Sequence, residues 1–592
     1  MTHILSEIKI KNFKSIKDVT FELSAFTPLV GYNNAGKSNI LEAIKWLLRK
    51  STLSDNQFND VNEPIEIEGE ISGISEAILD LLADNHKTII STYLFNDKLY
   101  IKRVQLVPNA SASQMKLYIK DPANIGNANE WKANPTGIDQ AIQALFPEPI
   151  HIGAMENAED DVSKSKTTST IGKLLAEIIG PLEATYNDQV QTALDEIRKL
   201  LDADSSERAT ELTEFDTTVN EKVNSFFPGI NIKIHVPTPE LKEVFSKGTI
   251  KVFENLGTEG KDVSSLGHGA QRSIQMALIR HLADIKKVTG EQSSNTLLLI
   301  DEPELYLHPQ AVEVLKDALK ILSNEGFQVV FTTHSPFMIT SKDVGNTLLI
   351  RKNDILGTHK KNTLKSAIPS VIAEAPSQLE LLFSLSNSSN ILFSERVILA
   401  EGTTENRLLP NLIEKVTSKS IGLHKVALVS MGGSTNTRKA MLVLDTMGIP
   451  TKAILDLDYI LLNGEKDGFL TSGDTDVAFV KAHLASIAPT HGIALNNGWP
   501  TKQGSSMTAA AAFNLLASEA IISTNLENLK TKLAPNNIWF WKKGTIENHL
   551  NNIPKNESSW AILNTRLETE ELDAILPNDH QEIKDFVNWI IV

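Results

Sequence analysis

The segment Gly31-Tyr-Asn-Asn-Ala-Gly36-Lys37-Ser38 carries the spacing G-x-x-x-x-G-K-S between an apolar strand and an amphipathic helix. Glycine at both ends lets backbone N–H groups close around phosphate, and the following helix adds positive potential at its amino end. Lys37 is placed to reach the β- and γ-phosphates of a nucleotide, and Ser38 to ligate its Mg²⁺. Asn33, Asn34 and Asn39 complete the set of positions expected to line that nucleotide. Far downstream, Leu297-Leu-Leu-Ile300 forms a buried strand that ends in Asp301-Glu302-Pro303. An acid at the carboxyl end of such a strand suits the metal, and its neighbour Glu302 suits a base that orients the attacking water.

A second acidic constellation occupies the last third. Val397-Ile-Leu-Ala leads into Glu401-Gly402-Thr-Thr-Glu405, and Ala453-Ile-Leu leads into Asp456-Leu-Asp458. Residues two apart in a strand share a face, so Asp456 and Asp458 are expected to share a metal. Between them Val426–Ser430 runs into Gly432-Gly433, which allows a ligand close to the backbone. Four crowded carboxylates repel one another unless divalent cations neutralise them. Hard oxygen donors with room for water suit Mg²⁺, with Mn²⁺ as the other choice. Two ions about 4 Å apart would activate water and stabilise the leaving oxygen of a phosphodiester. Either acidic motif alone is also ordinary turn and cap composition; their order at successive strand ends distinguishes them.

The elements that must position these residues follow from hydrophobic period. Ile8 and Ile10, then Val19, Phe21 and Leu23, mark two strands, and Pro28-Leu-Val a third that enters the glycine loop. Ile40, Ile44, Leu47 and Leu48 then repeat at helical spacing. Ile65, Ile67 and Ile71 alternate with acids, and further strands are expected at Thr88–Phe95, Leu99–Val107 and Met115–Lys120. Ile171, Leu175, Ile178, Leu182 and Tyr186 form a helical stripe extended by Leu194, Ile197 and Leu201, with a break at Gly180-Pro181. That stripe is too short for a coiled-coil arm and reads as a helical insertion, either a core pair or a dimerisation element. Alternation of helix and strand from Ser264 to Arg351 marks an α/β domain. After a connection at Pro376–Asn390, a second α/β pattern begins, with strands Arg396–Ala400, Lys425–Ser430, Lys452–Leu457 and Ile538–Trp541.

The chain has 592 residues, too many for one domain, and no cysteine, which excludes disulfides, cysteine–zinc modules and thiol nucleophiles. Its formal charge of −16 excludes a broad basic DNA-coating face, so any nucleic acid must be met by local patches or through metal ions. No leader peptide and no apolar run of membrane-spanning length is evident, and a cytoplasmic location is expected. The resulting division is an α/β ATPase domain in two parts, 1–165 and 246–385, a helical insertion at 166–245, and a second α/β domain at 391–592.

Two further segments refine the class. Ser264-Ser-Leu-Gly267-His-Gly269-Ala-Gln271-Arg272 opens a helix bearing Ile274, Ala277, Leu278 and Leu282, and Phe327–Thr333 ends in His334-Ser335-Pro336. With Ile8-Lys-Ile-Lys-Asn-Phe-Lys-Ser and Tyr306-Leu-His-Pro309, these resemble the ABC-type ATPases of the SMC, Rad50 and RecF group. The resemblance implies that Gly267, Gly269 and Gln271 of one subunit cover the γ-phosphate held by another, and that His334 contacts it. The signature departs from Leu-Ser-Gly-Gly-Gln, which implies slow hydrolysis. Gln57 is the candidate for the glutamine after the first helix, against a solvated loop glutamine.

The second acidic constellation resembles a Toprim domain, and Trp539-Phe-Trp-Lys542-Lys543-Gly544-Thr-Ile-Glu547 resembles its last element. By that resemblance Glu547 binds a second metal and Lys542 or Lys543 stabilises phosphate charge; the alternative is a capping glutamate with two solvated lysines. An ABC-type ATPase with a helical insertion followed by Toprim resembles the OLD (overcoming lysogenisation defect) nucleases. That family implies an ATP-controlled, metal-dependent DNA endonuclease in anti-phage defence. It acts as a homodimer or higher oligomer, alone, with a helicase-like protein, or beside a retron reverse transcriptase and its RNA. Competing readings are a non-catalytic DNA-binding ATPase scaffold, which has no need of four acids facing a polyanion, and a topoisomerase or primase.

Overall fold

In the computed structural model the strand Ile4–Phe13 pairs antiparallel with Ile16–Glu22 on one side and Ile65–Ser72 on the other. The structure describes residues 3–146, 149–153, 186, 188–235, 251–253, 260–289, 296–340, 342–371, 388–431, 433 and 436–592. Packing divides them into two units, one of 1–29, 33–338 and 352–359, the other of 30–32, 339–351 and 360–592.

A mixed sheet of twelve strands organises the first part of the chain. Its order is Trp131–Ala133, Lys116–Lys120, Lys98–Gln105, Ile65–Ser72, Ile4–Phe13, Ile16–Glu22, Gly357–Lys360, Leu348–Asn353, Phe26–Val30, Gln328–Thr333, Leu297–Ile300 and Ile150–Ile152. The acids that alternate with isoleucine in Ile65–Ser72 face lysines of the next strand, Glu70 to Lys98 at 2.8 Å and Glu68 to Lys102 at 3.3 Å. Such partly exposed pairs set register more than stability. At the other end Leu297–Ile300, Gln328–Thr333 and Ile150–Ile152 run parallel, and the first two are buried along their whole length. The buried Gln328 amide is satisfied by both backbone groups of Leu5, at 2.9 and 2.8 Å.

Thr88–Phe95, expected as a strand, is instead helical as far as Tyr93, where the helix Asp84–Tyr93 ends. Its β-branched run suggested extension, but Ile90 is the buried residue, with His86 and Tyr93 half-buried on the same helical face. Tertiary packing therefore overrides local propensity. In the insertion, helices occupy 188–201 and Thr210–Phe226. Leu194 is buried, whereas Tyr186 and Ile197 are exposed. Ile171, Leu175, Ile178, Leu182 and Gly180-Pro181 lie outside the described residues, as do 376–387 of the expected connection.

The second unit contains a four-stranded parallel sheet in the order Val426–Ser430, Arg396–Ala400, Thr451–Leu455, Ile538–Phe540. Its strands are mostly apolar because both faces are covered, with polar residues such as Arg396, Ser430, Thr451 and Lys452 towards their ends. Val397, Leu399, Leu455 and Phe540 enter one core with Leu444, Val480 and Leu529, while Ile398, Ile454 and Trp539 enter another with Leu408 and Phe586. Since all four strands run the same way, the residues after Ala400, Leu455 and Phe540 emerge at one edge.

Candidate functional sites

The loop before the helix Lys37–Leu48 closes through Asn34 and Gly36, both left-handed, at φ 64° and 95°. A Cβ on Gly36 would lie 2.1 Å from Thr358 Oγ1, so glycine is required there. Thr358 donates to the Ala35 carbonyl at 2.8 Å, and Asn39 donates to Ser15 Oγ at 2.7 Å. Asn33 and Asn34 are exposed on the loop.

Around the loop the described site is densely connected. Ser38 Oγ donates to Asp301 Oδ2 at 2.7 Å, and Thr332 donates to the other oxygen of Asp301. The buried Lys37 ammonium lies 2.8 Å from His334 Nε2, and that nitrogen is 3.1 Å from Glu302 Oε1. His334 beside it holds the Glu302 carboxyl below its ordinary range. Glu302 itself has φ 46°, a left-handed conformation that a residue other than glycine adopts only when its surroundings hold it. Its N–H donates to Thr332 Oγ1 at 2.9 Å.

Two neighbours were not singled out for this site by the sequence. Arg272, 1% exposed, donates to the carbonyls of Asp301 and Glu302 at 2.8 and 2.7 Å. Burial draws its guanidinium down to about 10. Glu304 accepts from Thr333 Oγ1 at 2.7 Å and from His334 N at 2.8 Å, and burial raises its carboxyl. The signature helix runs His268–Thr289, and its buried residues include Gln271, Arg272, Gln275 and Ile279, with Leu278 packed partly buried against the same core. Gln271 donates to Leu266 O at 2.8 Å within its own turn, while Gly267 is exposed and Gly269 faces Tyr306. Gln57 accepts from Ser54 N at 2.7 Å in a capping box, so this side chain serves its own loop.

The second site lies at the shared carboxyl edge of the parallel sheet. Glu401 follows the strand Arg396–Ala400, and Glu405 sits buried in the first turn of the helix Thr403–Thr417. Strand Thr451–Leu455 ends one residue before Asp456, which caps the helix Leu457–Asn463, so Asp458 is helical rather than two along a strand. Asp456 N donates to Glu401 Oε2 at 3.4 Å. Burial, then the charges of Glu401, Glu405 and Asp458, push the Asp456 carboxyl up to about 9. Burial does the same to Glu405, to about 7, with Glu547 and Glu401 adding. Asp458 is raised by burial. Glu547, 5% exposed, accepts from Thr404 Oγ1 at 2.5 Å, and among the described residues its Oε2 has no hydrogen-bond partner. Gly433 follows the edge strand with φ 133°; Gly432 lies outside the described residues.

The two lysines expected here point elsewhere. Lys542 pairs with Glu527 and, at 3.1 Å, Glu582, while Lys543 pairs with Asp579 at 2.6 Å. Both precede Gly544 on a turn whose side chains reach nearby acids. Among the described residues the side-chain cation that reaches the carboxylates is Lys555, 3.3 Å from Glu547 Oε1. Burial lowers its ammonium, but Glu547, Asp456 and Glu405 outweigh that and leave it raised. Among the described residues no three histidine or carboxylate side chains close around a single point at metal-binding distance. The donor set nonetheless fits a divalent cation: hard oxygens, mutual repulsion, and a buried Glu547 oxygen that no described residue satisfies.

Fold and sites together define an ABC-type ATPase joined to a Toprim domain, an architecture that uses nucleotide and divalent metal. The AAA ATPase domain family matches residues 4–130 and 82–339, and the overcoming lysogenization defect protein-like TOPRIM domain matches 392–458. The Old nuclease of Escherichia phage P2 is 37% identical over 598 aligned positions, covering 100% of both chains. The OLD nuclease of Thermus scotoductus is 21% identical, over 77% of this chain and 82% of that one. Endonuclease GajA of Bacillus cereus strain VD045 is 24% identical, over 78% and 76%. The chain belongs to the OLD nuclease family, and is an ATP-dependent nuclease.

Proposed function

We propose that this chain is an ATP-controlled DNA endonuclease that cuts phosphodiesters at the Toprim edge, with Mg²⁺ as its metal and Mn²⁺ able to replace it. The observation that carries this reading is the crowding of Glu401, Glu405, Asp456 and Asp458 at one sheet edge, where Asp456 is held up to about 9. So many crowded acids facing a polyanion are useful only with cations between them. A bound divalent cation supplies an activated water and neutralises charge on the phosphate. Glu401, Asp456 and Asp458 hold it, Glu405 and Glu547 complete a second position, and Lys555 faces the negative charge of the bound strand. In the other site Lys37, Ser38 and Asp301 bind ATP with its Mg²⁺, and Glu302 orients the water.

The ATPase site is proposed to be shared in a homodimer, with Gly267 and Gly269 presented to the partner's nucleotide, a reading that the exposure of Gly267 supports. Among the described residues no helix is long and apolar enough to cross a membrane. Defence against phage is the proposed setting, with a helicase-like protein or a retron reverse transcriptase as candidate partners.

The deciding experiment incubates supercoiled plasmid with Mg²⁺ or Mn²⁺, with and without ATP. Wild-type protein is expected to nick or cut, and Asp456→Ala to lose at least about 100-fold in rate, since water is no longer activated. Cleavage surviving Asp456→Ala, or indifferent to chelation, removes the assignment.

A further inference from the structure

We propose that the buried pair His549–Asp579 is a positioning device for the nuclease site, pinning the turn that carries Glu547 and seats Asp456 and Asp458. The inference rests on the metal-site reading of those acids. His549 is 2% exposed, with Nδ1 2.8 Å from Asp579 Oδ1. Its Nε2 lies 3.2 Å from the backbone N–H of Lys543. An amide N–H can only donate, so Nε2 must accept; the ring hydrogen therefore sits on Nδ1 and is donated to the carboxylate. The other Asp579 oxygen accepts from Lys543 Nζ at 2.6 Å. Lys543 is thus held at both its backbone and its side chain by one histidine–aspartate pair.

What that turn controls is visible on either side. Gly544, left-handed at φ 103°, donates to Trp541 O at 2.9 Å and accepts from Leu457 N at 2.9 Å. Leu457 lies between Asp456 and Asp458, so the Gly544 carbonyl fixes the start of the helix that carries them. Trp541 N donates to Leu455 O at 3.3 Å, tying the turn to the strand that ends before Asp456. On the other side the short helix Ile546–His549 carries Glu547 two positions before His549 itself. Asp579 is in turn the N-cap residue immediately before the C-terminal helix His580–Ile591, whose Phe586 packs against Trp541 and Trp539 at 4.6 and 5.2 Å. The C-terminal helix therefore serves as a brace for the metal-site turn, and His549 and Asp579 act through Lys543 rather than on substrate.

The test uses the full chain and measures initial cleavage rate against Mg²⁺ and Mn²⁺ concentration, ATP turnover and thermal melting. Loss of a group that orients metal ligands costs about 10- to 100-fold in metal affinity. His549→Leu is expected to raise half-saturating metal about 10-fold or more, with ATP turnover within about twofold of wild type. His549→Gln offers an oxygen to Lys543 N–H and an N–H to Asp579, so it should recover metal dependence to within about threefold. Wild-type metal dependence in His549→Leu overturns the proposal. Should that variant not fold, Asp579→Asn, which keeps an acceptor for Nδ1 but loses the charge on Lys543, decides: a several-fold shift supports it and an unshifted curve overturns it. Glu547→Gln separates the two levels. If it cuts like wild type, the metal-site reading of Glu547 fails; if it is defective while His549→Leu is normal, only the positioning role fails.

Discussion

Ser38 Oγ donates a 2.7 Å hydrogen bond to Asp301 Oδ2 across 263 positions of sequence. That bond joins the residue after the phosphate-loop lysine to the acid at the end of a buried parallel strand. The two groups expected to share the nucleotide's Mg²⁺ therefore already face one another. Asp301 is held by Thr332 from the neighbouring strand, and its carbonyl by Arg272 from the signature helix. The latter contact links the segment expected to touch a partner's nucleotide to the acids expected to work on this one.

Arg272→Ala should therefore slow ATP hydrolysis about 10- to 100-fold while leaving nucleotide affinity within a few-fold. The change frees the carbonyls of Asp301 and Glu302, and with them the left-handed Glu302 backbone. Loss of buried hydrogen bonds from a charged group should also cost about 1.5–3 kcal/mol of stability. Single-turnover hydrolysis and equilibrium nucleotide titration check both halves; unchanged turnover would show that Glu302 holds its place unaided.

Mixing Lys37→Ala with Gly269→Asp subunits tests the shared site. Each homodimer should be inactive, the first lacking the phosphate contact and the second carrying an acid where a partner's γ-phosphate must approach. A mixed dimer keeps one intact composite site, so ATPase activity should return toward about half the wild-type level per dimer if sites act independently. Demonstrated subunit exchange with no recovery excludes sharing.

Stability of the metal-free chain should fall as pH rises. Asp456, raised to about 9, and Glu405, raised to about 7, keep protons in the folded state that the unfolded chain releases near pH 4. The unfolded state thus binds fewer protons across the window from about pH 4 to 9, and the slope of stability with pH is negative there. Divalent cations should oppose this, so the rise in melting temperature on adding Mg²⁺ should be larger at pH 8.5 than at pH 6. Metal uptake should also release protons. Melting curves with chelator and with Mg²⁺ read the effect, and Asp456→Asn should flatten the pH slope.

Lys555→Ala should slow cleavage by about 10-fold or more, whereas Lys542→Ala should change it by less than about threefold. Lys555 reaches the acidic site, whereas Lys542 is paired with Glu527 and Glu582. An ammonium beside developing phosphate charge is worth a few kcal/mol in a site screened from water. The reverse ranking in plasmid-nicking rates would restore the turn lysine to the site.

The phosphate loop, the acids after Leu297–Ile300 and the acids after Arg396–Ala400 and Thr451–Leu455 are legible in the sequence for a local reason. A glycine that must adopt φ 95°, an apolar run that must be buried, and the polar residue that follows it are all set by chain neighbours. So is the alternation of Val397, Ile398 and Leu399 between two cores. Tertiary packing decided the rest. Thr88–Phe95 has strand residues yet helical burial, and the face that lies inward depends on what packs against it. The signature helix buries Arg272 because two carbonyls from residues 29 and 30 positions away need donors, a requirement that no periodicity encodes. Lys542, Lys543 and Lys555 are chemically alike, and long flexible side chains leave their partners open until the fold brings Glu582, Asp579 and Glu547 within reach. Composition and order determined which chemistry the chain can do; only the approach of distant segments determined which of several equivalent side chains stand beside it.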